Sequence, residues 1–110
     1  MMPPIVKSPR FLGDLDRIVE WYLEEADEEI ARRFVSAVSL TLKTIRRNPA
    51  LGRIRFPGLE DLRDVRSRLV EPPFNRYAVF YRIKPDSIQV LRLIHGARDL
   101  PRRFQEPFRS

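Results

Sequence analysis

Apolar positions recur along the chain with two different periods, and the switch between them divides it into a helical and a stranded half. After a short extended run, Ile5–Lys7, Ser8-Pro9 has the form of a helix start, a capping hydroxyl followed by proline at the first helical position. Phe11, Leu12, Leu15, Ile18, Val19 and Tyr22 then follow at three- and four-residue steps, which predicts one apolar helical face running to about Glu25. Trp21 falls off that stripe. Asp27-Glu28-Glu29 opens a second helix, with Asp27 as cap and acids at the positive end of the dipole. Ile30, Phe34, Val38, Thr41 or Leu42, and Ile45 form its inner face, Arg46 and Arg47 occupy the last turn, and Asn48-Pro49 ends it. The break between the helices allows only a tight reversal, so the two form an antiparallel hairpin.

Residues 50–64 carry Gly52, Pro57 and Gly58 and are expected to form a loop. From residue 65 the period drops to two. Arg66 and Arg68 fall on one face, Val65, Ser67 and Leu69 on the other, until Pro72-Pro73 interrupts. Tyr77–Ile83 and Ile88–His95 are rich in aromatic and β-branched residues and flank a Lys84-Pro85-Asp86-Ser87 turn. The expected fold is α+β, in the order β-α-α-β-β-β: an N-terminal strand and a helical hairpin packed on one face of an antiparallel sheet. Residues 1–110 are expected to form a single domain.

Strict alternation puts Tyr77, Val79, Tyr81 and Ile83 on one face, and Ala78, Phe80 and Arg82 on the other. On the last strand it groups Ile88, Val90, Arg92 and Ile94 against Gln89, Leu91, Leu93 and His95. Both faces are therefore partly apolar. The face not covered by helices is either a partner site or is covered by the C-terminal tail.

Charge sharpens the picture. The net charge is +6, and apart from Lys7, Lys43 and Lys84 every basic residue is arginine. Guanidinium groups make planar, bidentate contacts to carboxylate and phosphate, which suits an acidic partner; codon bias in a GC-rich genome gives the same composition. With no cysteine, disulfides and thiolate metal sites are excluded. No apolar run reaches a membrane span and the N-terminus lacks a secretory h-region, so the expected location is the cytoplasm. Metalloprotease, paired-Cys and P-loop patterns are absent, and no metal or cofactor is expected. The acids Asp14, Asp16, Glu20, Glu24 and Glu25 lie on the polar side of the first helix, where such clusters are usually solvated.

The run Arg76-Tyr77-Ala78-Val79-Phe80-Tyr81-Arg82, followed by Leu91-Arg92-Leu93-Ile94-His95-Gly96-Ala97-Arg98-Asp99, resembles the C-terminal half of ParE-type toxins. Those toxins typically carry a YxxFYR strand and a strand ending in LRxxHGARD. Asn48-Pro49-Ala50-Leu51-Gly52-Arg53 resembles the family's helix end and following loop. The resemblance implies the fold just derived, and it implies a toxin that blocks DNA gyrase without chemistry of its own. RelE-type relatives instead cleave messenger RNA on the ribosome, and both kinds are held inactive by an antitoxin.

Against nuclease chemistry stands the base. Arginine is a poor proton acceptor. RelE-type nucleases carry loop lysines and a Tyr or His near the C-terminus, whereas this chain has no lysine between Lys43 and Lys84, and Phe104 and Phe108 in the tail. His95 is the remaining acid/base candidate, and a lone strand-end histidine more often bonds a carbonyl or packs on a ring. For an acidic, ParD-like antitoxin the expected contacts are Trp21, Arg66, Arg68, Phe80, Arg82 and Arg92. The resemblance places gyrase contact at His95, Arg98, Arg102 and Arg103, and any operator DNA contact through the antitoxin.

Overall fold

The Ser8 hydroxyl accepts the Phe11 amide at 3.0 Å and donates to the Leu91 carbonyl at 2.8 Å, so one side chain both starts a helix and ties it to the last strand. This computed structural model describes residues 2–96. The elements are β1 (Ile5–Lys7), α1 (Pro9–Glu25), α2 (Glu28–Arg47), β2 (Arg53–Ile54), β3 (Val65–Leu69), β4 (Tyr77–Ile83) and β5 (Ile88–His95). Asp27 caps α2 by accepting the Ile30 amide at 2.9 Å, and both helices run as their periodicity predicts.

The sheet is mixed, in the order β1-β5-β4-β3-β2. β3, β4 and β5 form the expected antiparallel meander. β1, however, lies parallel to β5, with Ile5 opposite Ile88. The polypeptide leaves β1 straight into α1, and the hairpin returns it to the far side of the sheet. The segment expected to be wholly loop also contributes a two-residue strand, β2, which pairs Arg53 with Ser67.

The helical hairpin covers one sheet face. Phe11, Phe34, Val38 and Ile45 meet Val79, Tyr81, Val90 and Leu93 there, all nearly inaccessible to solvent. The opposite face is closed by the chain itself. Phe56 and Leu62, from residues 55–64, fold over Val65, Ala78, Phe80, Leu91 and Ile94 to make a second, smaller core. Each buried ring or aliphatic side chain contributes about 2 kcal/mol.

Strict alternation fails in β5. Tyr81 pairs with Val90 but Phe80 pairs with Arg92, so Leu91 is an extra residue in the ladder. A bulge of this kind reverses the facing of everything beyond it. Leu93 joins the helix-side core and Ile94 the opposite one, which corrects the grouping expected for this strand.

Candidate functional site

β1 stops at Lys7, opposite Val90, so among the described residues no strand lies outside the last part of β5. α1 runs past this open edge instead. The Gly96 amide bonds the Arg76 carbonyl at 2.7 Å, and His95 lies opposite Tyr77. In that register Leu93 and His95 direct their backbone polar groups away from β4, towards α1.

Asp14 closes the near end of the gap. Its carboxylate is 5% exposed and accepts the Leu93 amide at 2.9 Å. It also accepts Arg92 through Nε at 2.8 Å and Nη2 at 3.0 Å, and Arg17 at 2.6 Å. This corrects its assignment to the solvated acids of the first helix. A carboxylate this buried is tolerated because every lone-pair direction meets a cationic or amide donor. Helical spacing marks only its i,i+3 pairing with Arg17; Arg92 and Leu93, the partners that bury it, are nearly 80 residues away.

Beyond Asp14 the space opens into a groove of about 420 Å³ lined by Arg17, Ile18, Trp21, Tyr77, Arg92 and His95. Trp21 is 53% exposed, and its ring meets Tyr22 edge-on at 5.1 Å. It is packed on α1 rather than under the 50–64 loop. Arg17 keeps 68% of its side chain in solvent even while touching Asp14. His95 is exposed and packs edge-on against the Tyr77 ring at 4.9 Å, the ring-packing role expected of a lone strand-end histidine. Trp21, Arg92 and His95, assigned from sequence to two different partners, therefore share one groove.

The other expected contacts lie elsewhere. Phe80 is fully buried and stacks on Phe56 at 6.2 Å between ring centres, so it presents no surface for a partner. The face around it is filled by residues 56–62, because two-sided apolar strands leave no face that can remain in water. Arg66 spans two carbonyls, Ala50 at 3.0 Å and Gly52 at 2.9 Å, and so holds the loop after α2. Arg82 pairs with Asp64 at 2.9 Å and donates to the Asp61 carbonyl at 2.7 Å, pinning the other end of the same loop. Both are structural clamps in this fold. Arg68 differs from Arg66, Arg82 and Arg92 in that its guanidinium has no hydrogen bond or ion pair among the described residues, and it lines a second cleft. Arg98, Arg102 and Arg103 lie outside the described residues.

The acid/base inventory of the described residues is thin. Burial pushes the Tyr77 hydroxyl up to about 12, with the neighbouring Tyr22 hydroxyl adding to the shift. Burial also raises Tyr81, against the opposing pull of the Gly52 amide and of Arg66 and Arg68. Its hydroxyl is given to the Pro49 carbonyl at 2.5 Å. Neither phenol is ionised near neutral pH. No group of three or more His, Asp or Glu suited to a metal ion occurs among the described residues. Among them, too, no helix is long and apolar enough to cross a membrane.

The sequence matches the ParE toxin family of type II parDE toxin–antitoxin systems over residues 5–100. A search of curated proteins finds no match. Among solved structures the chain is similar to one described as the chromosomal ParDE TA system from P. aeruginosa. The TM-score is 0.71 at 22% identity, covering 87% of this chain and 98% of that one. At that identity the likeness speaks to the fold.

Proposed function

The chain belongs to the ParE toxin family, and from that premise we propose that it blocks DNA gyrase by binding and is neutralised by an acidic antitoxin seated in the groove between α1 and β5. The observation that carries the antitoxin half is the groove itself. An exposed tryptophan and an exposed arginine stand over an uncovered strand edge, in a protein of net charge +6.

A disordered acidic segment offsets its ordering entropy by pairing charges and burying a few apolar anchors. The groove supplies the exposed Arg17 for the first, with Arg92 behind it held by Asp14, and the Trp21 face for the second. Asp14 takes the Leu93 amide, and the outward Leu93 carbonyl and His95 backbone groups let an extended segment add to the sheet beyond it as a further strand. His95 lines this groove, so an antitoxin lying there covers the expected gyrase contact. Neutralisation is then a matter of occlusion.

The reading without catalysis is supported by Tyr77 and Tyr81, whose hydroxyls burial keeps protonated, and by the packing of His95 on Tyr77. The test is a supercoiling assay with purified gyrase beside a ribosome-dependent messenger cleavage assay. Lost supercoiling, restored by the antitoxin, is the expected result. Cleavage of messenger with supercoiling intact sinks the gyrase reading and moves the protein to the nuclease branch.

A further inference from the structure

We propose that a second surface, formed by β2, the end of β3 and the turn before β4, binds the phosphodiester backbone of a nucleic acid. Arg53, Arg55, Arg68 and Arg76 converge there, and none of their guanidinium groups has an ion pair or hydrogen bond among the described residues. The contrast with the rest of the chain is informative. Arg17, Arg32, Arg33, Arg82 and Arg92 are all ion-paired, Arg46 and Arg66 are spent on carbonyls, and the remaining described arginines, Arg10, Arg47 and Arg63, line neither cleft.

The four guanidiniums line two adjoining clefts, of about 470 Å³ and 310 Å³, which share Arg55, Leu69 and Asn75. Glu71 is the one carboxylate on their walls. Unpaired guanidiniums gathered at one place repel one another, and the arrangement is relieved by polyanion binding. The cations are strung along a strand and around its edge rather than focused on a point, which suits a repeating row of phosphates better than a single carboxylate. Neither cleft is lined by tryptophan, tyrosine or phenylalanine, so bases have no platform to stack on and the contact reads no sequence. It is therefore separate from operator recognition. His95 lines both the smaller cleft and the antitoxin groove, so the two sites meet at that residue.

The experiment uses the full chain and fluorescence anisotropy with three labelled probes: a short duplex DNA, a single-stranded RNA of equal length, and polyglutamate. Tight binding of either nucleic acid, weakening steeply with salt, is expected, and the preferred probe identifies whether the backbone is DNA or RNA. Arg53→Gln with Arg68→Gln is expected to weaken that binding at least about tenfold and to reduce the log–log salt slope by about two. Arg32→Gln with Arg33→Gln removes the same charge from α2 and is expected to leave binding within about twofold. Should the first pair melt early, Arg55→Gln with Arg76→Gln replaces it. Equal losses from surface and α2 pairs, polyglutamate binding as tight as nucleic acid, or no binding at low salt would each overturn the proposal.

Discussion

The Tyr81 ring lies where a β-carbon on Gly52 would have to go: the ring carbon Cζ is 2.6 Å from that position, and the hydroxyl is closer still. Glycine is needed here for space, since its backbone is ordinary extended chain. Gly52→Ala is therefore expected to destabilise the protein by about 2 kcal/mol or more, read as a drop in denaturation midpoint. Adding Tyr81→Phe is not expected to restore stability, because the clash with the ring carbon remains. Recovery in that double variant would show that the hydroxyl alone matters.

The Asp14–Arg92 pair should behave as a buried unit. Asp14→Ala leaves Arg92 and the Leu93 amide without their acceptor and is expected to cost about 3 kcal/mol. Arg92→Ala should cost less, because Arg17 and the Leu93 amide still hold the carboxylate. A double-mutant cycle by urea denaturation is expected to return a coupling of at least about 1 kcal/mol. Additive effects would contradict the geometry.

Binding and stability should separate cleanly among the arginines. Trp21→Ala and Arg17→Gln are expected to weaken antitoxin affinity at least about tenfold with only a small fall in melting temperature, since both side chains are largely in solvent and Arg92 still holds Asp14. Arg66→Glu and Arg82→Glu are expected to lower the melting temperature first, because they release the 50–64 loop. Calorimetric titration beside thermal melts makes the comparison. A stable Arg66→Glu chain that no longer binds antitoxin would return that residue to the docking surface.

Legibility in the sequence followed the reach of each interaction. Both helix caps and the two long strands were readable because Ser8 bonds Phe11 and Asp27 bonds Ile30, partners within one turn, and because Tyr77–Ile83 is a short run rich in aromatic and β-branched residues. The ring-packing of His95 was likewise foreseeable from its place at a strand end. The bulge at Leu91 was not, since every residue around it suits a strand and only the pairing with Phe80 reveals the extra one. Asp14 escaped for a related reason: it falls in register with the other acids of α1, and Arg92 and Leu93, the partners that bury it, lie on β5. Phe80 was misplaced as a contact because Pro57 and Gly58 mark residues 56–62 as loop, and the role of their apolar side chains, Phe56, Leu59 and Leu62, as a lid follows only from where they fold.

Alkaline pH should expose the buried phenol. In the unfolded chain tyrosine ionises near 10, whereas Tyr77 in the fold holds its proton to about 12. Above pH 10 the unfolded state loses a proton that the folded state keeps, so stability falls as pH rises towards 12 and is intact below 10. Melting temperatures measured across this window should decline more steeply for the native chain than for Tyr77→Phe. Parallel curves would place the alkaline loss in other groups.

The parallel pairing of Ile5 with Ile88 also bears on when the groove can form. The first strand has nothing to pair with until the last one has left the ribosome, and loop closure over such a separation is slow. The open edge of β5, and with it the groove proposed for the antitoxin, therefore cannot exist on a growing chain before β5 itself has been made.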